Sequence, residues 1–83
     1  MKLKEFKDKE ELINRELSEI NVYYDVEFNE IDFENELFTF TKTEKDPEYG
    51  WYDIETHEVD FDLLEERYPE ILKGLISKIE GII

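Results

Sequence analysis

The chain has no cysteine, only three glycines and two prolines among its 83 residues, and no long run of apolar residues. Without cysteine it can form neither a disulfide framework nor a thiolate metal site. We find no internal repeat and no flexible linker. No apolar stretch is long enough to span a membrane, and residues 1–9 lack the apolar core of a secretory signal. We therefore expect a soluble protein of the cytoplasm, with no membrane partner.

Basic residues are almost missing from the middle of the chain. Between Asp25 and Glu70 there are 17 acidic residues and three basic ones. The two flanks hold seven acids and seven bases, so the middle accounts for the whole net charge of -14. Like charges at this density repel each other in the compact state, which indicates a purpose other than stability. A partner that carries positive charge fits, whereas direct nucleic-acid binding is excluded because phosphates would be repelled.

The apolar residues that are present argue for a folded protein. Hydrophobic residues make up 40% of the chain and include six Phe, five Tyr and one Trp. This composition is too apolar and too aromatic for a disordered acidic tail. At this length we expect a single domain, residues 1–83, with a small core.

Helical periodicity occurs at both ends of the chain. Apolar residues from Leu3 to Ile20 recur at helical spacing, with the regular helix expected to begin near Lys9. In the C-terminal region Asp60 is a candidate N-cap. Pro69 should interrupt that region after Arg67 and start a new helix, because proline is tolerated at the first helical position but not in the interior.

Period-two alternation predicts three strands between these helices. The first starts at Val22, and its phase slips after Phe28, so we predict a bulge near Asn29 that keeps its acidic residues on one face. A turn at residues 34–36, with Asn35 in the left-handed position, leads to a second strand at residues 37–43.

The third predicted strand covers residues 51–55, after a loop at residues 44–50. Tyr52 and Ile54 are expected to point inward and Asp53 and Glu55 outward. We predict a turn at residues 56–58 after this strand. The predicted fold class is therefore α+β, an α-β-β-β-α arrangement in which the helices cover one face of a three-stranded antiparallel sheet.

The residues offer little that catalysis would need. The two serines have no base near them in sequence, and no phosphate loop or dinucleotide fingerprint occurs. His57 could act as a base or ligand with Asp53 or Glu55, but its position between acidic neighbours favours an exposed turn histidine. We expect a protein that is not an enzyme, with no catalytic residues, no cofactor and no metal.

The candidate partner-binding surface is the outward side of the strands. Alternate residues of a strand stand about 6.6 Å apart, so a row of carboxylates there is comparable with successive phosphates along a nucleic-acid strand. A solvated face whose acids aid solubility is the plainer interpretation. Such a face would normally mix lysine with glutamate, yet residues 25–36 contain no base. The predicted set consists of Tyr23, Asp25, Glu27, Glu30, Asp32, Glu34, Glu36, Trp51, Asp53, Glu55 and Glu58.

In size, charge and layout the chain resembles the small acidic inhibitors made by phages, which include anti-CRISPR proteins and other DNA mimics. The resemblance rests on two acid-rich segments set between helices, VYYDVEFNEIDFENE and WYDIETHEVDF. It implies a non-enzymatic inhibitor that occupies the cationic groove of a nuclease or another basic nucleic-acid-binding protein.

Two other classes stay open at this point. An immunity protein or antitoxin that neutralises a basic nuclease toxin would use the same physics. A structural or accessory protein, whose charge is incidental, would instead bury the strand acids or Trp51 in a homodimer. The sequence does not distinguish a monomer from a homodimer.

Overall fold

The computed structural model describes residues 1–17 and 26–83, with the backbone but not the side chain of Trp51. A 3₁₀ helix at Lys2–Lys9 precedes six further elements. In chain order these are α1 (Glu10–Leu17), β1 (Val26–Asp32), β2 (Leu37–Asp46), β3 (Gly50–Asp60), α2 (Phe61–Arg67) and α3 (Pro69–Ile82). The α+β class and the α-β-β-β-α arrangement predicted from the sequence are confirmed, with the C-terminal helix in two pieces.

The N-terminal helical region changes type near the predicted point. Its first eight residues form a 3₁₀ helix, and the regular α-helix begins at Glu10, next to Lys9. Leu3, Ile13 and Leu17 are buried and face the core. The predicted end of the helix at Ile20 and the predicted start of the first strand at Val22 lie outside the described residues.

The sheet is an antiparallel meander in the order β1-β2-β3. Phe28 pairs with Phe40 and Glu30 pairs with Thr39, so no residue of β2 stands opposite Asn29 in the register. This confirms the bulge predicted from the phase slip. The extra residue restores the alternation, because Phe28 on one side of the bulge and Ile31 on the other are both buried.

The third strand is longer than predicted. β3 runs without interruption from Gly50 to Asp60, so the predicted turn at residues 56–58 is wrong. His57 pairs with Phe40 on the core side of the sheet, and the two rings stack with centroids 5.3 Å apart. The histidine is therefore a half-buried strand residue and not an exposed turn residue.

The core lies between one face of the sheet and the helices. Phe38 and Phe40 of the central strand are fully buried and stack on each other, with centroids 5.7 Å apart. α1 packs against β1, and α2 packs against β2 and β3. α3 contributes Leu75 and Ile79, which are also fully buried. In the described ranges, no helix is long and apolar enough to cross a membrane.

The junction between β3 and the last two helices follows the predicted signals. The Asp60 side chain accepts a hydrogen bond of 2.7 Å from the Leu63 backbone N–H and so caps α2. α2 ends at Arg67, and Pro69 occupies the first turn of α3. Both predictions are confirmed.

Candidate functional site

The register of the sheet shows which side chains share its outer face. Directly paired residues in a ladder point to the same side. Three rows can therefore be followed across β1, β2 and β3, on the face opposite the core. The rows are Asp32–Leu37–Asp60, Glu30–Thr39–Glu58 and Glu27–Thr41–Thr56.

These rows place carboxylates on the two outer strands and neutral residues between them. Glu27, Glu30 and Asp32 follow β1, while Glu58 and Asp60 follow β3. The two lines of carboxylates are about 10 Å apart, twice the spacing of neighbouring strands. Further along β3, Asp53 pairs with Thr43 and extends the second line. We call this surface the acidic face; it comprises Glu27, Glu30, Asp32, Asp53, Glu58 and Asp60.

A strip of neutral residues along β2 separates the two lines. The Thr41 hydroxyl donates to Asn29 Oδ1 at 3.0 Å and lies 3.0 Å from the Thr56 hydroxyl. These contacts tie β1, β2 and β3 together beside the bulge. Thr43, further along, is 5% exposed, and its hydroxyl has no hydrogen-bond partner. The strip gives the acidic face a fixed separation between its charges.

The side chain of Asp32 forms hydrogen bonds within the turn that follows β1. Its two carboxylate oxygens accept from the Asn35 backbone N–H at 3.0 Å and from the Asn35 amide at 2.8 Å. These hydrogen bonds favour the charged form and lower the pKa of Asp32. Asp32 therefore adds a fixed negative charge to the acidic face, but its oxygens are less free for a partner than those of Glu30.

The turn also positions Glu34 and Glu36 away from the acidic face. Glu36 adopts the left-handed conformation, with φ of 56°, so the prediction of Asn35 at that position is wrong. Its carbonyl accepts from the Phe61 N–H at 2.9 Å, and its carboxylate lies 3.0 Å from Lys4 Nζ. Glu34 and Glu36 line a groove together with Lys4 and Lys7. Part of the predicted negative charge is therefore neutralised at this end.

Glu55 was predicted on the outer face, and this is wrong. Lys42 pairs with Glu55 and Thr43 pairs with Asp53, which leaves Ile54 without a partner. This second bulge reverses the alternation, so Asp53 lies on the acidic face and Glu55 on the core side. There Glu55 Oε2 lies 3.2 Å from His57 Nε2, an ion-pair distance without hydrogen-bond geometry.

The predicted inward residues of β3 are affected by the same bulge. Ile54 is exposed and does not enter the core. Tyr52 pairs with Glu44 on the core side but is also exposed. Its hydroxyl donates to Glu44 Oε2 at 2.8 Å, and this contact raises the pKa of Tyr52.

Three predicted members of the surface, Tyr23, Asp25 and Trp51, have side chains that the structure does not describe. Tyr23 and Asp25 lie outside the described residues. The backbone of Trp51 pairs with Lys45 at the far end of the hairpin. Sequence reasoning also missed Asp60 as a surface residue, because its capping role was the stronger signal.

The described residues contain no group of three or more histidine and acidic side chains that could hold a metal ion. The acidic residues are spread along strands instead of converging on one point. What the arrangement can do chemically is attract and align a cationic surface, since Glu30, Asp53, Glu58 and Asp60 are exposed and the two lines are held at a fixed separation by the sheet.

Comparison with known proteins gives no relative from which a role can be transferred. No family model matches the chain, and no characterised protein or solved structure is significantly similar to it.

Proposed function

We propose that this protein is a non-enzymatic inhibitor that binds the cationic nucleic-acid groove of a nuclease or another nucleic-acid-processing protein. The observation that carries the proposal is the acidic face, with two lines of carboxylates on β1 and β3 beside a neutral central strand. A groove that binds phosphates with Lys and Arg can also bind carboxylates whose spacing is similar to that of the phosphates. Phages typically encode such inhibitors. A phage-encoded inhibitor would act in the cytoplasm of the host cell.

The distribution of basic residues supports this proposal over a general solubility role. On the described outer positions of the sheet, Lys45 stands alone among basic residues and lies at the far end of the hairpin. The other described lysines include Lys2 and Lys4, which form ion pairs with Glu80 and Glu36. A surface shaped only for solubility would mix both signs.

Electrostatics also defines how the complex should behave. Long-range attraction between the acidic face and a basic groove increases the association rate. Because exposed charge pairs are screened by ions, binding should weaken steeply as the salt concentration rises. A contact through apolar side chains alone would respond little to salt.

The test compares two double charge reversals. Glu30→Lys with Glu58→Lys alters the middle row of the acidic face. Glu11→Lys with Glu66→Lys changes the net charge equally on exposed helical residues and is the matched control. Each variant is immobilised and exposed to the nucleic-acid-binding fraction of a source-cell lysate at low salt, and captured proteins are identified and eluted with a salt gradient.

We expect the parent and the helix variant to capture a basic nucleic-acid-binding protein that added DNA or RNA displaces. The sheet variant should lose that capture while its circular dichroism spectrum is unchanged. Equal capture by the parent and the sheet variant would show that the acidic face is not the interface. Recovery of the bait alone would favour the structural or accessory role.

A further inference from the structure

The exposed apolar side chains of the described residues are concentrated at one end of the β2–β3 hairpin. Tyr49 is 83% exposed, Ile54 is 55% exposed and Tyr52 is 47% exposed. The other large hydrophobic residues exposed in the described ranges are Met1 and Ile83, at the chain ends. We call residues 43–54 the hairpin arm. Apolar side chains gathered in this way on a small acidic protein indicate a contact surface.

The hairpin arm extends the sheet beyond the described part of β1. Val26, the first described residue of β1, pairs with Lys42. The β2–β3 ladder continues for four more pairs, from Thr43–Asp53 to Asp46–Gly50. At about 3.3 Å per residue, these pairs add roughly 13 Å to the hairpin before its tip.

The tip of the hairpin arm is held in one conformation by its own hydrogen bonds. Asp46 Oδ1 accepts from the backbone N–H groups of Glu48 at 2.7 Å and of Tyr49 at 3.2 Å. Gly50 closes the turn with φ of 85°, a conformation that suits glycine. The Tyr49 ring is therefore presented from a preorganised turn, which lowers the entropy lost when it binds.

The hairpin arm carries negative charges as well as aromatic rings. The segment contains four acidic residues, Glu44, Asp46, Glu48 and Asp53, and one basic residue, Lys45. The hydrogen bond from the Tyr52 hydroxyl to Glu44 Oε2 fixes a ring and a carboxylate side by side. A second copy of this chain is disfavoured as the occupant, because two such arms would repel each other.

A single strand of nucleic acid has the same combination of chemistry. Proteins that bind single strands use a positively charged groove together with aromatic side chains on which the bases stack. The carboxylates of the hairpin arm can pair with the positively charged groove, and its exposed tyrosine rings can stack on the aromatic side chains in place of bases. Duplex-binding grooves contact mainly phosphates and base edges, so they offer fewer positions where a ring could replace a stacked base.

We propose that the hairpin arm enters the single-strand channel of the target protein, with Tyr49 and Tyr52 in positions where bases stack. This inference rests on the function proposed above and narrows its target to proteins that hold an unpaired strand. The acidic face steers the complex, and the arm supplies the apolar contacts that hold it.

The experiment uses the protein captured by the parent chain, once it is identified and purified. That protein is loaded with a fluorescent thymidine oligonucleotide or with a fluorescent duplex of the same length. The inhibitor and its variants are then titrated to displace each probe. The variants are Tyr49→Ala, the double change Tyr49→Ala with Tyr52→Ala, and the control Tyr49→Phe with Tyr52→Phe. Tyr49→Ala is the safest of them, because this side chain is almost fully exposed.

We expect the parent to displace the thymidine oligonucleotide. Tyr49→Ala should weaken that displacement severalfold and the double alanine variant roughly tenfold or more, as for aromatic hot spots in interfaces. The phenylalanine pair should act like the parent because it keeps both rings. Displacement of the duplex alone, or equal displacement by the parent and both alanine variants, would overturn the inference.

The two proposals fail in different ways. If Glu30→Lys with Glu58→Lys abolishes binding and the alanine variants do not, the acidic face is the interface and the arm inference is wrong. If the sheet variant binds as the parent does and no nucleic acid competes, the proposed function is wrong and the arm inference falls with it. Failure to capture any nucleic-acid-binding protein has the same consequence.

Discussion

The side chain of Asn14 on α1 forms two hydrogen bonds with the backbone of Ile31 on β1, as a neighbouring strand would. Its amide nitrogen donates to the Ile31 carbonyl at 2.8 Å, and its amide oxygen accepts from the Ile31 N–H at 2.9 Å. Both polar backbone groups of one strand residue are thus satisfied by one side chain. This contact fixes α1 against β1 two residues after the bulge and so supports the strand that carries Glu27 and Glu30.

Replacing Asn14 with alanine should destabilise the fold measurably. The change leaves a donor and an acceptor of Ile31 unpaired in a partly buried place, and such losses cost about 1–3 kcal/mol. Urea unfolding followed by circular dichroism measures the effect. Glu11→Ala, an exposed change on the same helix, serves as the control and should stay within about 0.5 kcal/mol of the parent. Equal stability of the two variants would mean that the paired hydrogen bonds contribute nothing.

The two bulges of the sheet were not equally visible in the sequence. After Phe28 the slip was interpreted as a bulge, and the structure has a bulge at Asn29. At residues 56–58 a turn was predicted, and the structure has a continuous strand with a bulge at Ile54 instead. Alternation alone cannot separate the two, because the choice depends on whether the partner strand continues. β2 does continue, to Asp46.

The error over Glu55 follows from the same ambiguity. The face of a strand residue is known only when the register is known, and one extra residue moves every later side chain to the other side. The acids of β1 were placed correctly because their bulge was recognised. The hairpin arm was not predicted, because Tyr52 and Ile54 are residue types that usually lie in the core. Nothing in the local sequence shows that no other element packs over them.

The turn after β1 should make stability depend on pH through Asp32. The hydrogen bonds from Asn35 lower the pKa of Asp32 below its ordinary value of 3.8. A lowered folded-state pKa means that the stabilisation is present above about pH 3.8 and is lost as the pH falls through the folded-state value. The stability difference between the parent and Asp32→Ala should therefore be constant near neutral pH and shrink in acid. A difference that grows in acid would contradict this assignment.

Asp60 has two roles that substitution can separate. As the N-cap of α2 it accepts from the Leu63 N–H, and it also contributes charge to the acidic face. Asp60→Asn should keep the cap, since asparagine caps helices about as well as aspartate. Asp60→Ala should cost about 1 kcal/mol of stability. Urea unfolding of both variants tests this, and equal losses would mean that the charge of Asp60, not its hydrogen bond, stabilises the helix.

The pairing of Glu44 and Tyr52 in the hairpin arm can be followed by titration. The carboxylate accepts the phenolic hydrogen bond and raises the pKa of Tyr52 above its ordinary value of 10.0. Glu44→Gln should bring that pKa down, because ionised tyrosine no longer faces a negative charge. Absorbance at alkaline pH measures the change, with Tyr52→Phe identifying the contribution of this ring. An unchanged titration in Glu44→Gln would show that the two side chains are apart in solution.

The acidic face should reduce the stability of the fold that carries it. Glu30 and Glu58 lie in one row of a surface with a strong excess of negative charge. Converting both to lysine removes repulsion, so at low salt this variant should unfold at a higher urea concentration than the parent. The difference should vanish in concentrated NaCl, where the screening length falls from about 30 Å at 0.01 M salt to about 3 Å at 1 M. A gain in stability that accompanies the loss of partner binding is the pattern expected when charges are kept for recognition. If the variant is less stable than the parent at low salt, these carboxylates stabilise the fold. Recognition of a partner would then not be needed to explain them.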